Sequence, residues 1–134
     1  MESESLHVAV VGASAKPERY SHQAILLLRQ AGHVVYPVHP ALETIEALPV
    51  FPRLSAAPAG IDVVTLYLRP DRQAAVAPDL FRVHPRVVIF NPGSENDSLA
   101  AKLEAHGILV VLGCTLVMLK TGQFSFEAWS TLPQ

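Results

Sequence analysis

An α/β domain built on a parallel, five-stranded sheet is the fold that this sequence predicts, and three observations predict it. Short apolar runs rich in β-branched residues recur along the chain, as in Val8-Ala9-Val10-Val11, Val63-Val64-Thr65-Leu66 and Val87-Val88-Ile89-Phe90. Unbroken apolarity, in place of strict alternation, marks strands covered on both faces. Segments with apolar residues at helical spacing stand between these runs, and strand–helix alternation of this kind gives right-handed crossovers and a parallel sheet. Finally, 134 residues, 50% of them apolar and 16% charged, supply one well-buried core and not two.

Residues 1–6 are expected to be a disordered lead-in, and residues 7–11 the first strand, which its apolar character places in the middle of the sheet. The strand stops at Gly12-Ala13-Ser14 and a polar loop follows to residue 20. Ser21 is a suitable N-cap for a helix to residue 31, with Ala24, Leu27, Leu28 and Ala31 on its inner face and Gly32 as its stop. Residues 33–38 form the second strand, closed by His39-Pro40, and 41–47 a connection. Leu48-Pro49-Val50-Phe51-Pro52 is bounded by prolines and suits the edge of a sheet. After a turn over 55–60, the third strand covers 62–68 and ends at Arg69-Pro70. Asp71 can cap a helix to about residue 82, which Pro78 must kink or restart.

The fourth strand covers 86–90 and ends at Asn91-Pro92-Gly93. Asn96 caps a helix to residue 105, with Leu99 and Leu103 inward and Gly107 as the stop, and 108–112 is the fifth strand. A short helix over 114–120 precedes a tail anchored by Phe124, Phe126 and Trp129. These elements make a Rossmann-like, doubly wound sheet of order 3-2-1-4-5 over residues 7–124, with 125–134 as a C-terminal tail. In that order a ligand crevice opens between the first and fourth strands. The strand ends around it carry Gly12-Ala13-Ser14, His39-Pro40, Arg69-Pro70 and Asn91-Pro92-Gly93.

Charge and composition exclude several functions. A net charge of −2, with Lys and Arg scattered, offers no basic face for nucleic acid. No apolar run reaches the roughly 20 residues that span a bilayer. The opening Met1-Glu2-Ser3-Glu4-Ser5 is the reverse of a secretory leader, and the single cysteine forms no internal disulfide. A cytoplasmic protein is expected. Six histidines, at 7, 22, 33, 39, 84 and 106, follow no metal-ligand spacing.

Small residues at the first strand end let a ligand approach the backbone, and N–H groups at a helix start hold anions. A phosphorylated cofactor is therefore expected. A dinucleotide site wants Gly-x-Gly-x-x-Gly and an acidic residue ending the second strand; this chain has Gly12-Ala13-Ser14-Ala15-Lys16-Pro17 and His39-Pro40, which counts against NAD. No Gly-Lys-Ser/Thr is present for a P-loop. Ser14 suits either a phosphate ligand or a turn that caps its own loop. Lys16, Arg19 and Arg69 suit phosphate contacts or solvated charges, and His22 stands at the helix start near the same anion. Cys114 opens a short helix, where a thiolate is favoured, yet reads better as a small, partly buried residue. Spacing identifies no acid–base pair.

Val10-Val11-Gly12-Ala13-Ser14 with Lys16-Pro17-Glu18-Arg19-Tyr20-Ser21 resembles the opening of the small single-domain CoA-binding proteins. Tyr36-Pro37-Val38-His39-Pro40, Leu48-Pro49-Val50-Phe51-Pro52, Arg69-Pro70, Phe90-Asn91-Pro92-Gly93 and Gly113-Cys114-Thr115 match in order, over about residues 6–124. The resemblance implies a fold related to the CoA-binding domain of succinyl-CoA synthetase and ADP-forming acyl-CoA synthetases. It implies that Gly12, Ala13 and Ser14 meet the pyrophosphate of CoA or an acyl-CoA, that Lys16 and Arg19 neutralise it, and that Tyr20 lies along the pocket. It puts Val38, His39 and Pro40 beside the adenosine, and Arg69, Pro70, Asn91, Pro92 and Gly93 on the path toward pantetheine. The synthetases need a phosphohistidine domain and an ATP-grasp unit, for which 134 residues have no room. A binding module without chemistry is thus expected, one that stores, senses or presents CoA, alone, as a homodimer or to a partner protein. A small nucleotide-dependent oxidoreductase or transferase, or a ligand-free interaction module docking through its aromatic tail, are the alternatives.

Overall fold

The computed structural model describes residues 4–132. Five parallel strands form the main sheet: β1 (His7–Val11), β2 (Val34–Val38), β5 (Val63–Leu66), β6 (Val87–Phe90) and β7 (Leu109–Leu112), in the spatial order β2-β1-β5-β6-β7. Between β2 and β5 lies a two-residue-strand hairpin, β3 (Thr44–Ile45) with β4 (Leu48–Pro49). The helices are α1 (Tyr20–Gln30), α2 (Ala77–Val83), α3 (Asp97–Ala105), α4 (Thr115–Lys120) and α5 (Phe126–Ser130).

Both sheet faces are covered, which is why the strands read as continuous apolar runs. Val8 and Val10 of β1 point to one core with Ala24, Ile25 and Leu28 of α1, Leu116 of α4 and Trp129 of α5. Ala9 and Val11 point to the other, with Leu80 of α2 and Leu99 and Leu103 of α3. Successive residues thus serve opposite cores, two where the chain length suggested one, as the two-residue period of a strand between covered faces requires.

The parallel α/β architecture and the five strands are as predicted; their order is not. In strand sequence it is 2-1-3-4-5, not 3-2-1-4-5. The place beside β2 that a third strand would take is filled by the proline-bounded edge segment: Phe51 donates its N–H to the Pro37 carbonyl and accepts the His39 N–H, both at 3.0 Å. The chain therefore returns across β1 before β5 begins. The crevice accordingly opens between β1 and β5, beyond their carboxyl ends.

Smaller departures have local causes. Residues 1–3 of the expected lead-in lie outside the described residues, but Leu6 is buried in the core and donates its N–H to His33 Nδ1 at 3.1 Å. Ser21 does not cap α1; the extended Arg19 precedes the helix, without a side-chain cap, and Ser21 is buried in the first turn. Ala31, expected inside, is exposed, while Ile25 is buried in its stead. The helix expected from Asp71 divides into a 3₁₀ turn at Pro70–Arg72 and α2, with Pro78 in the first turn of α2 where its missing N–H is not needed. Asn96 caps α3 as expected, its side chain accepting the Leu99 N–H at 3.1 Å. The tail is no appendage: Trp129 is 1% exposed and donates its indole N–H to Met118 Sδ at 3.4 Å.

Candidate functional site: a cleft at the switch point of the sheet

The loop after β1 turns on Gly12, whose φ of +88° suits only glycine and whose missing Cβ would sit 3.1 Å from the Tyr67 carbonyl carbon. Beyond it lies a cleft of about 650 Å³. Its walls are Gly12, Ala13 and Ser14 after β1, Lys16 to Ser21 (Pro17 excepted), His39 after β2, Tyr67, Leu68 and Arg72 after β5, and Pro92 after β6. A second pocket of about 320 Å³ adjoins it, bounded by Val11, Val38, Pro40, Leu54, Leu68 and Val76, with Arg53 and Asp79 at one side. Gly12, His39, Leu68 and Arg72 line both.

The backbone donors are not where the strand end suggested. Gly12 and Ala13 already give their N–H groups to the Val38 carbonyl, at 3.3 and 3.2 Å. Ser14 Oγ accepts the Lys16 N–H at 3.1 Å, capping its own loop and leaving the hydroxyl proton free to donate. Among the described residues, the N–H groups of Ser14, Tyr20 and Ser21, all lining the cleft, have no protein acceptor. The start of α1 has no acidic residue in its first turn and no capping side chain. An uncapped helix N-terminus of this kind carries a partial positive charge and open donors, and favours an anion. Lys16, Arg19 and Arg72 add cationic side chains that pair with no carboxylate among the described residues; Glu18 is the one acid in the wall.

His22 is buried and holds this loop rather than facing the cleft: Nδ1 meets the Ser14 carbonyl at 2.8 Å and Nε2 meets Glu46 Oε1 at 2.9 Å. Glu46 and Ala47 turn the β3–β4 hairpin with φ of 50° and 63°, and Arg29 donates to the Glu46 carbonyl at 2.9 Å, so α1 clamps that strained turn. Ser14, His22 and Glu46 have the composition of a hydrolytic triad, but the imidazole meets the serine carbonyl and not its hydroxyl, so it does not activate Oγ.

Asp79 is buried, and hydrogen bonds from Arg53, above all, and from the Ser55 N–H hold its carboxyl down at about 2 against the opposing effect of burial. Burial pushes the Tyr67 phenol up to about 12; the neighbouring Thr65 and Thr115 hydroxyls act the other way, though Tyr67 Oη makes no hydrogen bond of ordinary geometry.

Several expected residues stand elsewhere. Arg69 is exposed and pairs with Asp71 at 2.9 Å, and Pro70 faces a separate hollow beside Asn96. Asn91 is buried: its amide donates to Thr65 Oγ1 (2.7 Å) and the Leu66 carbonyl (3.0 Å), and its Oδ1 accepts the Thr115 N–H (2.9 Å). Gly93 lines neither cavity, its N–H donating to Glu95 Oε1 at 2.7 Å. Cys114 is half-buried before α4 and also lines neither. Glu18, Ser21, Tyr67, Leu68 and Arg72 line the cleft and were not among the expected site residues; for Tyr67 and Leu68 their place at the carboxyl end of the expected third strand was the available signal. Among the described residues no group of three metal ligands occurs, and no helix is long and apolar enough to cross a membrane.

Comparison with known proteins agrees with this architecture. The chain is 26% identical over 108 residues to the uncharacterized protein YneT of Bacillus subtilis (strain 168), spanning 81% of this chain and 80% of that one. It superposes on the crystal structure of an uncharacterized protein with a TM-score of 0.86 and 34% identity, over 91% of this chain and 100% of that one. The dinucleotide-forming acetyl-coenzyme A synthetase 1 of Ca. Korarchaeum cryptofilum shares the fold, with a TM-score of 0.67 and 24% identity over 78% of this chain and 25% of that one. The sequence model of the CoA binding domain matches residues 7–120, and the chain belongs to that family.

Proposed function

We propose that this chain binds coenzyme A, free or acylated, in the cleft between β1 and β5 and holds it without transforming it. The observation that carries this reading is the open start of α1: unpaired N–H groups of Ser14, Tyr20 and Ser21 beside Lys16 and Arg19, in a member of the CoA binding domain family. A diphosphate supplies the acceptors and the charge that these donors lack. The apolar pocket alongside suits an adenine ring, and the combined space is of the size that cofactor sites usually have. Ser14 meets His22 through its carbonyl, which favours binding over nucleophilic chemistry.

Thermal-shift titration with CoA, NAD and ATP tests this. A ligand that binds only the folded state stabilises it by roughly 2.7 kcal/mol at a hundredfold excess over Kd. CoA is expected to raise the melting temperature by several degrees and NAD and ATP to do so far less. Ser14→Glu places a carboxylate against the diphosphate and is expected to abolish the CoA shift while leaving the unliganded melting temperature within about 2 °C. A full shift in that variant overturns the assignment of the loop.

A further inference from the structure

We infer that Arg72 reads a phosphate on the ribose and thereby lets this site distinguish coenzyme A from dephospho-coenzyme A. The inference rests on the CoA reading above and assigns its specificity. The cleft with the open N–H groups and the apolar pocket meet at a junction whose shared walls are Gly12, His39, Leu68 and Arg72. A nucleotide with its diphosphate against the start of α1 and its base in the apolar pocket carries its ribose across that junction. Gly12 has no side chain and Leu68 is apolar, so the polar groups meeting the ribose are those of His39 and Arg72.

Their chemistry differs. His39 Nδ1 accepts the N–H groups of Ala41 and Leu42, at 3.0 and 3.1 Å, so in the neutral ring the proton sits on Nε2 and offers one donor. Arg72 offers a permanent charge and a planar fork of donors that matches phosphate. Its guanidinium makes no hydrogen bond or ion pair among the described residues, whereas Arg53 in the same pocket is held by Asp79 at 2.8 Å and Arg69 by Asp71 at 2.9 Å. The backbone beneath it is fixed: Arg72 N–H donates to the Arg69 carbonyl at 2.9 Å. The next residue, buried Gln73, donates to the Leu68 and Ser94 carbonyls at 2.9 and 2.7 Å. Lys16 and Arg19 line only the cleft and serve the diphosphate in either ligand.

Isothermal titration of the full chain with CoA and with dephospho-CoA tests the assignment. The wild type is expected to prefer CoA by about tenfold or more, the size that charge-assisted hydrogen bonds give. In Arg72→Gln that preference should fall to about twofold, through a loss of CoA affinity several-fold larger than the loss for dephospho-CoA, with the unliganded melting temperature unchanged; Arg72→Lys should restore part of it. Equal affinity of the wild type for both ligands, a result that needs no variant, overturns the proposal, as does an equal loss for both in Arg72→Gln. Failure of both ligands to bind the wild type overturns the CoA reading itself, and is a different result from binding without discrimination.

Discussion

Gly12 ties the fold to the site at a single residue. Its left-handed φ lets β1 turn away beneath Tyr67 and Leu68, and the loop that follows carries the donors of the cleft. His33 shows the same economy for stability. Burial holds its imidazole below the usual value of 6.5, and its Nδ1 accepts the Leu6 N–H. A proton on Nδ1 removes that acceptor, so the folded chain takes up the proton less readily than the unfolded one. Stability is therefore full above about pH 6.5 and declines as the pH falls below it toward the lowered folded value. Urea melts between pH 7.5 and 5.5 should show the decline, and His33→Asn, which keeps an acceptor and cannot titrate, should flatten it. A parallel slope in the variant removes His33 as the source. At this scale Ser14, Lys16, Arg19 and His39 were legible as lining residues because each stands in a loop that leaves an apolar strand. Arg72 was not, since nothing in Asp71-Arg72-Gln73 tells which side chain turns to the cleft and which to a neighbouring carboxylate.

Among the elements, strand ends carry the most information, and a helix start is legible only where a side chain caps it. The bounds of β1 coincide with those expected, and α3 runs from its Asn96 cap to Ala105, just short of Gly107, because side-chain capping and a left-handed glycine act locally. By contrast α1 begins without a side-chain cap, so its start carries no capping signature to find. The junction of β5, β6 and α4 hangs on Asn91, whose amide meets Thr65 and Leu66 and whose oxygen meets the first N–H of α4. Asn91→Leu leaves buried polar groups unpaired at both ends and is expected to cost about 3 kcal/mol in urea unfolding. Asn91→Asp keeps the acceptor for Thr115 but sets a buried carboxylate oxygen against the Leu66 carbonyl, and should cost at least as much. Equal stability of Asn91→Leu and the wild type removes the network as a structural support.

For the whole molecule, the sheet order and the closing tail matter most. The edge segment at Phe51 displaces the third strand to the other side of β1, which moves the crevice to the β1–β5 seam. The tail completes one core: Trp129 stacks edge-on against Phe124 and Phe126, at 4.8 and 5.6 Å, and Arg86 covers the outer ring of Phe126 at 3.5 Å. With Trp129 and Phe124 buried, this aromatic group lends no support to a docking patch. Trp129→Ala is expected to lower the unfolding free energy by about 4 kcal/mol. A change below about 1 kcal/mol in a two-state urea melt would show that the tail is peripheral to the fold.

By itself the sequence determined the α/β class, five parallel strands, the carboxyl ends of most of them and the loop that opens the cleft. All of these follow from local hydropathy, turn residues and caps, whose causes lie within a few positions of each residue. Only the tertiary structure decided the strand order, the commitment of the Gly12 and Ala13 amides to Val38, the burial of Asn91 and the place of Arg72. Each of those depends on which distant segment takes a shared acceptor or a vacant edge, a competition settled in space and leaving no mark on the neighbouring letters.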